Sequence, residues 1–124
     1  MASPRDLARA HAIGRVALGA ALTVAPRRVA SAWLGPRHAR RAQTAVVASA
    51  MGARDLGLGL GIARALGEGH GARPWLSAAV LADAVDLVAT LRARDELPAL
   101  GVASVAAMAG GSVAVGLWLR RAVD

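Results

Sequence analysis

Cysteine, lysine, phenylalanine and tyrosine are absent from these 124 residues, and Trp33, Trp75 and Trp118 are the only aromatic side chains. Without cysteine, disulfides, thiolate metal sites and cysteine nucleophiles are all excluded. Without Phe and Tyr, a soluble core would lack the side chains that bury the most area per residue. Apolar residues still make up 56% of the chain. They are mostly Ala, Leu and Val, interspersed with Gly and gathered in long blocks. Membrane helices are built this way, because close backbone approach through Gly and Ala substitutes for bulky side chains. The length allows one domain.

All 15 basic residues are arginine, against eight acidic residues, for a net charge of +7. In a soluble protein that excess would point to nucleic acid. Here the arginines fall at the ends of apolar blocks (Arg27, Arg28, Arg37, Arg40, Arg41, Arg92, Arg94, Arg120, Arg121), and no basic helical face is interleaved with aromatics. Arginines that meet lipid headgroups account for this placement. No nucleic-acid partner is expected.

The pattern predicts an all-α fold: an antiparallel four-helix transmembrane bundle with spans at 7–25, 42–66, 74–91 and 97–119. The first span carries Arg9, His11 and Arg15 and is the shortest in uncharged length. A cleaved leader is the competing reading there. Pro26 directly after Ala25, and Arg15 inside the apolar stretch, favour a retained helix. Between spans one and two, Arg27 to Leu34 reads as a short amphipathic helix in the headgroup layer, anchored by Trp33. Gly67 to Gly71 is a turn, and Pro74-Trp75 opens the third span. Residues 97–119 hold no charge and close on Trp118, Arg120 and Arg121, an interfacial ending. The expected location is the plasma membrane, with multiple passes.

At a span's centre, Arg or Asp costs ~2.5–3.5 kcal/mol on the insertion scale, while one Leu or Val returns only ~0.3–0.6. Charges within the apolar runs must therefore face inward and find partners. Arg54 and Asp55 sit within Met51 to Gly61; Asp83 and Asp86 sit within the third run; Arg15 interrupts the first. Arg54, Gly57 and Gly61 share one helical face, as do Ala79, Asp83, Asp86 and Thr90. The glycines Gly57 and Gly61 are expected to admit the third helix closely, so that Arg54 bridges Asp83 and Asp86. Asp55 points elsewhere, toward Arg15. Two guanidiniums against three carboxylates leave one carboxylate over, to be protonated, solvated or engaged from outside.

Other chemistry is thinly supported. His11, His38 and His70 are scattered, so no metal or haem site is expected. Gly57-Leu58-Gly59-Leu60-Gly61 has no strand before it and no Lys-Ser/Thr after it, so it is not read as a phosphate loop. The serines lack a nucleophile elbow. Gly110-Gly111 marks close packing or a kink in the last span. No cofactor motif is present.

Gly52-Ala53-Arg54-Asp55-Leu56-Gly57-Leu58-Gly59, followed by Ala82-Asp83-Ala84-Val85-Asp86-Leu87, resembles a group of small actinobacterial multi-pass membrane proteins of unknown function. The likeness extends over most of the chain, including the connector from Val24 to Arg28. Asp55 stands where that group has Glu as often, and Ala82 where Gly is common. The resemblance implies a four-helix membrane protein and no particular activity. The first expectation is a non-enzymatic membrane component, self-associating or accessory to a larger complex, with lipid as its constant partner. A carrier of protons or small polar solutes comes second, and an enzyme acting on lipid-linked substrates third. A soluble alanine-rich bundle is the remaining option.

Overall fold

In the computed structural model, residues 1–123 are described, and they form six α-helices and one 3₁₀ turn. These are α1 (Pro4–Val24), α2 (Pro26–Leu34), α3 (Pro36–Ala39), α4 (Ala42–Glu68), α5 (Ala72–Arg92) and α6 (Ala99–Ala122), with the 3₁₀ turn at Arg94–Glu96 between the last two. No strand occurs among the described residues. The four long helices correspond to the four expected segments. The connector differs: it holds two short helices instead of one. Gly35, at φ 83°, divides it. That backbone conformation strains residues with a Cβ, and Pro36 then restarts the helix.

Local chemistry sets the helix ends. Ser3 caps α1 in a reciprocal box with Asp6, and Pro4 occupies the first turn. Hydrogen bonds from the Ser3 hydroxyl and backbone hold the Asp6 carboxyl below its ordinary value. A depressed folded-state value adds stability above the unfolded value and loses it as pH falls through the folded one. The protection of first-turn amides of α1 against hydrogen exchange, taken relative to the intrinsic rate at each pH, is therefore expected to fall on acidification below about pH 4. Ser3→Ala should weaken that pH dependence, since it removes the hydroxyl but keeps the backbone donor; a first turn indifferent to both changes would contradict the box.

The longest packing contacts are α1 against α4 and α5 against α6. Between α1 and α4 the backbones nearly touch. A Cβ on Gly19 would lie 2.7 Å from the Gly52 carbonyl oxygen, and one on Gly59 would lie 2.8 Å from that of Ala12. Two apolar clusters result. One, around Ala8, Ile62, Leu66, Leu76 and Leu119, gathers the start of α1 with the end of α6; the other joins Leu22, Ala30, Ala39 and Ala48. Arg5 ties the first end by donating to the Gly69 carbonyl at 3.0 Å.

The interior and exterior are reversed relative to a water-soluble bundle. The buried set is mostly Ala with a few Leu and Ile, and it includes Arg15, Asp55, Asp83 and Thr90. Ile13, Val46, Leu60, Leu81, Val85 and Met108 are exposed, from 56% to 69%. Three helices (α4, α5 and α6) are long and apolar enough to cross a membrane, yet only 28%, 22% and 17% of their apolar windows are buried inside the protein. Such continuous exposed apolar area is not sustained by monomers in water. It fits a protein whose solvent is lipid. α1, with Arg5, Asp6, Arg9 and Arg15, is not among the three.

Candidate functional site: a buried arginine–aspartate cluster

The charges meet midway along the helices. Arg15 is the twelfth residue of 21 in α1, Asp83 the twelfth of 21 in α5, and Arg54 and Asp55 the thirteenth and fourteenth of 27 in α4. At ~1.5 Å per residue they lie roughly 14–20 Å from either helix end. The two apolar clusters flank them.

Arg15 is the hub, only 6% exposed. Its Nη1 donates to Asp55 Oδ1 at 2.7 Å, and its Nη2 donates to Asp83 Oδ2 and to the Ala79 carbonyl at 3.3 Å. Its Nε donates to His11 Nε2 at 3.4 Å, one turn earlier on α1. One guanidinium thus joins α1 to α4 and α5. The Ser112 hydroxyl adds α6 by donating to Asp83 Oδ2 at 2.5 Å. All four long helices share this junction.

Arg54 forms a second, more open pair. Its Nη1 and Nη2 clasp Asp86 Oδ1 and Oδ2 at 3.0 and 2.6 Å, and Nη2 also reaches Asp55 Oδ1 at 3.3 Å. The Arg54 and Asp86 side chains are 31% and 19% exposed. Asp55 Oδ1 bridges the two arginines, so the five charges form one network.

The structure brings together all five charged residues singled out from the sequence, with altered pairings. Arg54 engages Asp86 and leaves Asp83 to Arg15, which is four residues before Gly19 on the helix closest to α4. Gly57 is not a packing glycine: a Cβ there would meet nothing within 4 Å. Gly61 does serve contact, lying directly under the Trp75 ring. The glycines at the tightest helix–helix contact are Gly19, Gly52 and Gly59, and Gly101 lies against the Trp33 carbonyl. Gly110 and Gly111 meet almost nothing, and α6 runs through them unbroken. Ser112 and His11 were not anticipated as members. The available signals were a hydroxyl in the middle of an uncharged span and a histidine four residues before a buried arginine.

Chemically, the cluster is a connected set of charge-assisted hydrogen bonds in which the buried Arg54 Nε has no partner. Two open surface depressions lie elsewhere, against α2. Among the described residues, no group of three His, Asp or Glu side chains is placed to hold a metal ion. No protein-family model, curated protein or solved structure matches the chain. The fold and the cluster define a class: a small helical protein, consistent with a membrane protein, whose mid-helix charges are gathered inside and many of whose large aliphatic side chains point out.

Proposed function

We propose that the chain is a multi-pass integral protein of the plasma membrane, a structural or accessory component whose Arg/Asp cluster clasps an antiparallel four-helix bundle. The observation carrying this is the hub itself: Arg15, Asp55, Asp83 and Ser112 tie one residue from each long helix at mid-length. With Arg15 turned inward, the outward side chains of α1 include Ile13 and Val24, 68% and 84% exposed. That apolar face supports α1 as the fourth span despite its charges. On this reading the ion pairs fix helix register, a role buried polar groups are known to play in coiled coils. The arginine-acidic and Asp-x-x-Asp-Leu motifs support kinship with the small actinobacterial membrane proteins they resemble.

The test has two parts. The chain should stay with membranes after alkaline carbonate extraction. In mild detergent, Asp83→Asn should then cost about 1–3 kcal/mol of stability, because a buried charged acceptor is lost. Asp86→Asn and Arg54→Gln should also cost about 1–3 kcal/mol, because at mid-span the exposed part of that pair faces lipid, where water does not screen it. Recovery in the soluble fraction would end the membrane reading.

One observation favours a carrier instead: three carboxylates face two guanidiniums, leaving one negative charge uncompensated at mid-span. On that reading, Asp83→Asn would fold normally and abolish a proton-dependent signal in reconstituted vesicles. A loss of folding without any such wild-type signal decides for the clasp.

A further inference from the structure

The basic connector has a concavity that the clasp does not explain. Arg27, Arg28 and Ser31 of α2, with Pro36 and Ala39 of α3 and then Arg40, border an open surface depression of about 340 Å³. Three arginines and a serine, from α2 and the residue after α3, thus share one patch of surface. We infer that this junction binds the phosphate group of an anionic phospholipid, an inference that rests on the membrane reading above.

The arginines have no internal counterion. Between Asp6 and Asp55 the sequence contains no acidic residue. Among the described residues, no ion pair involves Arg27, Arg28 or Arg40. Exposed arginines elsewhere do find carboxylates: Arg9 with Asp6, Arg64 with Glu68 and Arg94 with Asp95. A cluster of like charges in a concave site repels itself unless an anion enters, and guanidiniums match phosphate oxygens in pairs. Ser31 supplies a further donor.

Position selects the lipid as the source of that phosphate. The connector joins the end of α1 to the start of α4, and α2 packs against α6 where the Trp33 carbonyl meets Gly101 near that helix's first turn. This is the level at which the apolar spans end, where headgroup phosphates lie. The two faces of α2 divide accordingly. Arg27, Arg28 and Ser31 border the basic depression, while Ala30, Trp33 and Leu34 line an apolar groove of about 260 Å³ with Val47 and Met51 of α4. A helix divided in this way sits in the headgroup layer with its arginines toward phosphate.

The experiment is native mass spectrometry of the full chain in mild detergent, offered phosphatidylglycerol or phosphatidylcholine with the same acyl chains. Phosphatidylglycerol should be retained preferentially. Arg28→Gln/Arg40→Gln should lose that retention by about tenfold, and Arg92→Gln/Arg94→Gln, which removes equal charge outside the depression, should stay within about twofold of wild type. Arg28→Lys/Arg40→Lys, which keeps the charge, should recover part of the loss. Equal retention of the two lipids, or equal loss in both Gln pairs, would overturn the site. Displacement of phosphatidylglycerol by millimolar inorganic phosphate would overturn the lipid as its ligand in favour of a free anion. Carbonate extraction reads membrane insertion separately: a chain that inserts but shows no lipid preference sinks this inference alone.

Discussion

Arg15→Met is expected to be the most damaging single substitution in the protein. Methionine matches much of the arginine stem in volume, so the loss is mainly electrostatic. Arg15 is 6% exposed and partners Asp55 and Asp83, each 4–8% exposed. Removing it leaves Asp83 with only the Ser112 hydroxyl, and Asp55 with Arg54 at 3.3 Å. Breaking a buried pair by deleting one partner costs about 3–5 kcal/mol, since the survivor stays desolvated and unpaired. Thermal unfolding in detergent and the amount of chain recovered in membranes should both fall sharply. Adding Asp83→Leu to Arg15→Met should restore much of the loss, because replacing both partners by apolar groups of similar volume is often close to neutral. If Arg15→Met unfolded together with wild type, the hub would have no structural weight and the clasp would be wrong.

Gly52→Leu is the second large effect, with Gly57→Leu as its control. A Cβ at Gly52 would lie 2.6 Å from Thr23 Oγ1, 2.7 Å from the Gly19 carbonyl oxygen and 2.8 Å from the Thr23 amide nitrogen. Two of these three are backbone atoms, which cannot step aside. α1 must therefore move away from α4, and that displaces Arg15 from Asp55 as well. Overpacking of this kind costs about 1–3 kcal/mol on its own, and the weakened ion pair adds to it. Gly57→Leu, five residues along the same helix, meets open space and should be neutral or slightly stabilising, since glycine weakens a helix interior by up to ~1 kcal/mol. Equal destabilisation by both would show that helix propensity, not helix approach, governs α4.

The contrast between these glycines shows how far the sequence could be read. Gly57, Gly59 and Gly61 alternate along α4, and each step of two residues turns about 200° around a helix of 3.6 residues per turn. Gly59 thus points away from the face shared by Gly57 and Gly61, which lie within about 40° of each other but a full turn apart along the axis. Gly59 meets α1, Gly61 meets Trp75 of α5, and Gly57 meets nothing. Spacing along one helix identifies which residues share a face. The rotation of that helix about its own axis decides what the face touches, and no local pattern encodes it. Asp83 illustrates the same limit. Its place beside Asp86 on α5 was legible from the i, i+3 spacing, but its choice of Arg15 over Arg54 was not.

From the sequence alone came the helical character, the expected segments, of which α4, α5 and α6 are long and apolar enough to span, and the requirement that Arg15, Arg54, Asp55, Asp83 and Asp86 meet inside. The cost of an isolated charge in hydrocarbon is large, and it attaches to residue type and position in the run. Only the tertiary structure decided which guanidinium took which carboxylate, that Ser112 joins α6 to the hub, and that Gly19 and Gly52 set the distance between α1 and α4. The Arg15 contacts to Asp55 and Asp83 span 40 and 68 residues of chain. Partners so far apart are chosen by the mutual rotation and depth of packed helices, a property of the assembled bundle and of no single segment.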